Sequence, residues 1–209
     1  METPRERDNK KAGPIYDRLA AHYERALGPL ERRWLGRLRA EALGELPPEA
    51  RLLEVGAGTG LNFAHYPRGA RGVASEPRRE MLLVARRKTE RPPGVRLWQA
   101  SAEALPFGDD VFDAAFATLV FCSVASPPKA FDELRRVVRT GGRVVLLEHV
   151  RPRGLLGYAF DALNLLTVPL FEDHFNRRTA EEAARAGLDV RRVEQRLGGV
   201  VQIIVCEVS

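Results

Sequence analysis

Cysteine is almost absent: the 209 residues hold two, Cys122 and Cys206, too far apart for a metal-binding spacing and too few for a disulfide framework. Both are expected as core thiols in a protein of a reducing compartment. No apolar run is long enough to cross a bilayer comfortably, since the longest, residues 155–171, is interrupted by Asp161 and Asn164. The opening residues are charged and lack the apolar segment of a secretory signal, so a cytoplasmic location is expected. Internal repeats and low-complexity tracts are missing as well. What remains is an ordinary globular composition, 44% hydrophobic and 29% charged, at a length that suits one α/β domain with a helical extension. The net charge of +5 favours anionic partners, phospholipid surfaces or nucleic acid, without choosing between them.

The stretch that carries chemistry is residues 51–60, Arg-Leu-Leu-Glu-Val-Gly-Ala-Gly-Thr-Gly. Leu52, Leu53 and Val55 make the short apolar run of an interior parallel strand. Gly56, Gly58 and Gly60 then open a turn whose backbone can take positive φ and lie close against a ligand. The phosphate-loop pattern is absent, because no Gly-Lys-Ser/Thr follows, and the dinucleotide pattern fails because its last glycine falls on Leu61. Glu54 would repel a pyrophosphate but suits a cationic ligand. S-Adenosylmethionine, a nucleoside with a sulfonium and an ammonium, fits that charge. Glu-Val-Gly-Ala-Gly-Thr-Gly resembles the first motif of the class I S-adenosylmethionine-dependent methyltransferases.

That resemblance implies a Rossmann-like, doubly wound α/β fold with a seven-stranded sheet, mostly parallel with an antiparallel C-terminal hairpin, plus an N-terminal helical cap. Residues 1–45 are expected as a helical extension or lid and residues 46–209 as the methyltransferase domain. Ile15, Leu19 and Tyr23 recur at helical spacing, and a second helix carries Leu30, Trp34, Leu35, Leu38 and Ala42 on one face, with Arg32, Arg33, Arg37 and Arg39 mostly elsewhere. This pair either covers the cofactor cleft or packs on the domain with snorkelling arginines. Strands are expected at 51–56, 70–75, 95–99, 112–118, 143–147, 190–194 and 200–208. A short helix should follow the first strand and another should open at Glu80. A further helix, 126–139, should be capped by Ser126 and stopped by Thr140-Gly141-Gly142.

Glu76 lies at the carboxyl end of the second strand, where an acidic side chain can accept hydrogen bonds from both ribose hydroxyls. Met81 follows, as a residue that lies under the adenine or simply in the core. Residues 100–107 resemble the family's Asp-Ala-Glu-x-Leu-Pro-Phe segment, with Ser101 in place of the usual aspartate and the Ala102 amide left to read the adenine edge. The exit of the fourth strand, from Thr118, should border the methyl group. The donor set is thus Glu54, Gly56, Gly58, Gly60, Glu76, Met81, Ser101, Ala102 and Thr118, with no metal.

Residues 58–67, 118–124 and 148–150, with the His174-Phe-Asn-Arg177 run, resemble the branch of phosphatidylethanolamine N-methyltransferases and membrane-associated alkyl thiol methyltransferases. Quinone-biosynthesis C-methyltransferases are similar but less close. The resemblance implies methyl transfer to a small-molecule or lipid acceptor, phosphatidylethanolamine first, with an alkyl thiol or a quinone precursor as alternatives. A non-catalytic S-adenosylmethionine-binding protein is the competing class. Nucleic acid is disfavoured, since the fourth strand lacks the Asn/Asp-Pro-Pro-aromatic tetrad that holds a flipped base. The base for an amine acceptor could be His149, Glu148, or water reached through Tyr23. Tyr16, His174 and Arg177 are candidates for the acceptor pocket, with Arg151, Arg153 and Arg178 for a lipid phosphate. The basic segment 30–42 and the excursion 154–178 are expected to form an apolar lid that touches anionic membrane at its inner face.

Overall fold

The computed structural model describes residue 28 and residues 31–150 and 177–209. Seven strands form one sheet in the order β3-β2-β1-β4-β5-β7-β6. β1 (Arg51–Val55), β2 (Arg71–Ser75), β3 (Gly94–Trp98), β4 (Phe112–Thr118) and β5 (Val138–His149) run parallel. β7 (Val201–Val208) joins β5 antiparallel and carries β6 (Leu188–Arg196) as the outer strand. This is the expected doubly wound sheet with its C-terminal hairpin. Central parallel strands are covered on both faces, which is why β1 and β4 read as nearly unbroken apolar runs.

The two faces of the sheet hold separate cores. Leu53, Val55, Ala115, Val144 and Leu146 turn toward helix α3 (Pro127–Val137), where Phe121 and Phe131 stack at 4.4 Å. Leu52, Ala114, Phe116, Val145 and Leu147 turn to the other face, against Leu35, Leu38, Ala42 and Leu43 of helix α1 (Gly36–Leu43) and the turn before it. Helices α2 (Arg79–Arg86) and α4 (Thr179–Arg185) complete the layers. The strand order reverses between β1 and β4, and the crevice at the carboxyl ends of those two strands is where open α/β sheets bind ligands.

Several local expectations are corrected. The amphipathic stretch before β1 is not one uniform helix: Glu31–Leu35 winds as a π-turn ahead of α1. The wider turn changes the phase of the faces, so Trp34 is exposed while Leu35, Leu38 and Ala42 stay in the core. Arg39, expected outside, is buried at 4% exposure. The helix expected after β1 is reduced to turns and a single 3-10 turn, Phe63–His65. Ser126 makes no side-chain cap on α3; its N–H donates to Glu103 Oε1 at 2.5 Å instead. Helix α3 stops at Val137, before Arg139, because Val138 is fully buried and enters the ladder opposite Phe112. The chain then turns at Gly141, φ +72°, and Gly142 packs so closely on Val138 and the Asp113 carbonyl that a Cβ would not fit. Both cysteines are buried, as expected, and burial pushes the Cys206 thiol up to about 12.

The helix expected around Ile15, Leu19 and Tyr23, and the excursion up to residue 176, lie outside the described residues. Among the described residues no helix is long and apolar enough to cross a membrane, and no cluster of side chains could hold a metal ion.

Candidate functional site

The three glycines of the turn after β1 all have positive φ, +70° at Gly56, +56° at Gly58 and +83° at Gly60, but their surroundings differ. A Cβ on Gly56 would stand 2.4 Å from a methyl of Val120, and one on Gly60 would stand 2.3 Å from the Phe63 ring. Those two glycines let the turn pack against the protein's own side chains. A Cβ on Gly58 would meet nothing within 4 Å among the described residues. Gly58 is therefore the point at which the turn presents bare backbone to open space.

Glu76 closes one side of this space. Its Oε2 accepts the Gly58 N–H and its Oε1 the Arg78 N–H, each at 3.0 Å, so a carboxylate at 7% exposure is fixed in one orientation. Each oxygen keeps an acceptor lone pair for a ligand hydroxyl. Burial raises its pKa, and the backbone N–H groups of Arg78 and Gly58 oppose the shift. Beyond β3, the Ser101 hydroxyl accepts the Glu103 N–H at 3.3 Å, and the Ala102 amide makes no hydrogen bond among the described residues. Met81 is buried on α2, at 6% exposure.

Beneath the turn lies a buried polar network of which the sequence yielded only Glu54 and Thr118. Glu54 is fully buried, with Oε1 accepting from Asn62 Nδ2 at 2.6 Å and Oε2 from the Tyr66 hydroxyl at 2.6 Å. Asn62 Nδ2 also donates to Thr118 Oγ1 at 2.8 Å, and Arg39 Nη1 reaches both Asn62 Oδ1 at 2.9 Å and Thr118 Oγ1 at 2.5 Å. Arg39 Nε pairs with Glu31 at 2.8 Å. Burial raises the Glu54 pKa against the hydrogen bonds from Tyr66 and Asn62 and the charge of Arg39. Neither Glu54 nor Thr118 thus has its polar atoms bare toward the turn. Asn62 and Tyr66 were within reach of sequence reasoning, since both lie in the 58–67 segment that carried the family resemblance. Arg39 was not, because a helical arginine reads as surface.

The two candidate bases at the end of β5 leave the strand on opposite faces. Glu148 follows Val144 and Leu146 to the α3 face, and His149 follows Leu147 to the α1 face. Glu148 is fully buried, and its two oxygens accept the N–H groups of Val120 at 3.0 Å and Phe121 at 3.2 Å, pinning the exit of β4. Burial pushes its pKa up to about 7, against those N–H groups and the charges of Arg177 and Arg39. His149 is half-buried. Arg177 Nη2 donates to the Val124 carbonyl at 2.7 Å, which brings it to the same side as Glu148. Tyr16, Tyr23 and His174, with Arg151 and Arg153, lie outside the described residues.

A known family model matches residues 53–146, the stretch that holds the glycine turn, the Glu76 carboxylate and the exit of β4. Its description is that of a methyltransferase domain. The relatives of this chain include a demethylmenaquinone methyltransferase of Thermus thermophilus, 39% identical over 61% of this chain and 60% of its own. A phosphatidylethanolamine N-methyltransferase of Cereibacter sphaeroides is 37% identical over 54% of this chain and 58% of its own. A human thiol S-methyltransferase is 38% identical over 47% of this chain and 42% of its own. The chain spans about half the length of the curated relatives it matches. These names are the phospholipid, thiol and quinone branches of the resemblance read from the sequence. The fold extends further: a SAM-dependent methyltransferase structure from Thermotoga maritima superposes with a TM-score of 0.71 at 23% identity, covering 93% of this chain and 99% of its own.

Proposed function

We propose that this protein transfers a methyl group from S-adenosylmethionine to an amphiphilic acceptor at a membrane surface, with the amine of phosphatidylethanolamine as the leading candidate. The observation that carries the reading is the open backbone at Gly58 beside the fixed Glu76 carboxylate, at the strand-order reversal of a methyltransferase domain. The residues present fit the donor. Glu76 has acceptor capacity left for two ribose hydroxyls, the Ala102 amide can donate to the adenine edge, and buried carboxylates below the turn suit a cation. When bound, the donor supplies an activated methyl on a sulfonium, so the protein's work is alignment and exclusion of water.

Within that reading Gly58 gives way to the ligand, and Glu54 acts through Asn62 and Tyr66 rather than by contact. Glu148 holds the β4 exit that borders the methyl, and its occupied oxygens leave His149, or water reached through Tyr23, the better candidates to take a proton from an amine. A histidine is the side chain suited to take up a proton near neutral pH. Arg177 and the arginines nearby would pair with a lipid phosphate, and residues 1–45 with the excursion after β5 would cover the acceptor. S-methylation of an alkyl thiol or C-methylation of a quinone precursor is the alternative, supported by the relatives of those names.

One assay separates these acceptors: radiolabelled donor incubated with phosphatidylethanolamine liposomes, an alkyl thiol and a demethylated quinol. Label is expected in the lipid. Label confined to the thiol or quinol would move the assignment to that acceptor, and donor binding without turnover on any of them would make this a binding protein. For the donor site, Glu76→Gln is expected to weaken S-adenosylmethionine binding by about 1–2 kcal/mol, the effect of losing a charged acceptor for hydroxyl donors. Unchanged affinity in a calorimetric titration would remove Glu76 from the site.

A further inference from the structure

Arg39 lies on the core side of α1, beside Leu35, Leu38 and Ala42, at 4% exposure. Burying a guanidinium costs several kcal/mol unless charge and hydrogen-bond partners compensate, and an apolar residue would serve helix packing at less cost. Its partners are not those of a packing residue. Arg39 Nε meets Glu31 on the π-turn, while Nη1 meets Asn62 after the glycine turn and Thr118 at the end of β4. The charged and titratable groups around this network are Glu31, Glu54 on β1, Tyr66, His65 on the 3-10 turn, and Glu148 on β5, with Glu76 adding to the field at Glu54. Tyr66 spends its proton on Glu54, so among the described residues Arg39 is the one cation whose charge bears on both buried carboxylates, Glu54 and Glu148, while Arg177 bears on Glu148 alone.

We propose that Arg39 is a positioning residue of the donor site, which orients the Asn62 amide toward Glu54 and supplies the charge that keeps this carboxylate negative beneath the glycine turn. A guanidinium cannot accept a hydrogen bond, so Asn62 must turn its oxygen to Arg39. Only then does Asn62 Nδ2 point at Glu54 Oε1 and Thr118 Oγ1, 2.6 and 2.8 Å away. A negative Glu54 lies two residues before Gly56, where its field favours a sulfonium over a neutral thioether of the same shape. The inference rests on S-adenosylmethionine as donor and deepens that reading by naming what sets the preference for its charge.

The test is calorimetric binding of S-adenosylmethionine and of neutral S-adenosylhomocysteine from about pH 5 to about pH 9, in the native protein, Arg39→Met and Arg39→Lys. Removing the cation disfavours the ionised form of Glu54. Arg39→Met should therefore move the pH at which sulfonium affinity rises upward by about one unit or more, which at the native midpoint is a loss of about fivefold or more. Arg39→Lys should keep the native midpoint, and the thioether should show no such displacement. Equal weakening of both ligands by Arg39→Met at every pH would reduce Arg39 to a structural role and overturn the proposal. If that variant does not fold, Tyr66→Phe removes one donor from Glu54 without changing charge and must displace the midpoint in the same direction; an unmoved midpoint overturns the proposal equally. Failure of the native protein to bind either ligand at any pH would instead defeat the donor assignment itself.

Discussion

Replacing Gly58 by valine is expected to weaken S-adenosylmethionine binding by on the order of 100-fold, about 2.7 kcal/mol, while the chain stays folded. Gly58 holds φ at +56° and a Cβ there would meet no atom of the described residues within 4 Å, so the new side chain fills the space assigned to the ligand. The strain of a β-branched residue at positive φ costs about 1–3 kcal/mol of stability, which lowers the unfolding midpoint without abolishing the fold. Gly60→Val provides the contrast. Its side chain would drive into the Phe63 ring, so that variant should fail by unfolding and not by excluding a ligand. Normal donor affinity in a folded Gly58→Val protein would show that the turn is not the cradle.

Glu148→Gln is expected to flatten the pH dependence of stability by about 3 kcal/mol between about pH 5 and pH 8. The folded protein holds this carboxyl at about 7 against an ordinary value of 4.5, chiefly because it is buried. A raised acid pKa contributes stability that is complete below the ordinary value and is lost as pH rises through the folded one. Native stability should thus decline between about pH 4.5 and pH 7 from this residue alone. Glutamine cannot ionise, so the decline disappears; its NH2 group cannot accept the second N–H, so the flat curve starts below the native one at acid pH. Glu54 and Glu76, also raised by burial, add a falling background common to both proteins. Denaturant unfolding at several pH values measures the difference, and parallel curves would contradict the assignment.

The fold was legible in the sequence because its signals are local. The apolar runs of β1 and β4, the glycine turn and the spacing from Glu54 to Glu76 each need only a few neighbouring residues to be read. Errors fell where a distant contact overrode a local preference. Val138 reads as the end of a helix until its pairing with Phe112 draws it into the sheet. Ser126 reads as a cap until Glu103, from a different loop, takes its N–H. Trp34 and Arg39 exchange the positions their periodicity predicts because the π-turn at Glu31–Leu35 changes the phase of the helix.

The sequence alone determined the chemistry of the glycine turn: three residues without Cβ, a carboxylate before them, and another at the end of the next strand. Only the tertiary structure decided how those residues divide the work. Gly56 and Gly60 proved to be shaped by Val120 and Phe63, and Gly58 by open space, because clearance around a Cβ is set by side chains that arrive from elsewhere in the chain. Glu54 and Glu148 proved to be buried anchors, because desolvation and hydrogen-bond donors, which fix what a carboxylate can do, belong to its three-dimensional surroundings. Arg39 joined the buried network for the same reason: a charge is recruited to a core by partners far away in sequence, Asn62 and Thr118, and no local pattern records them.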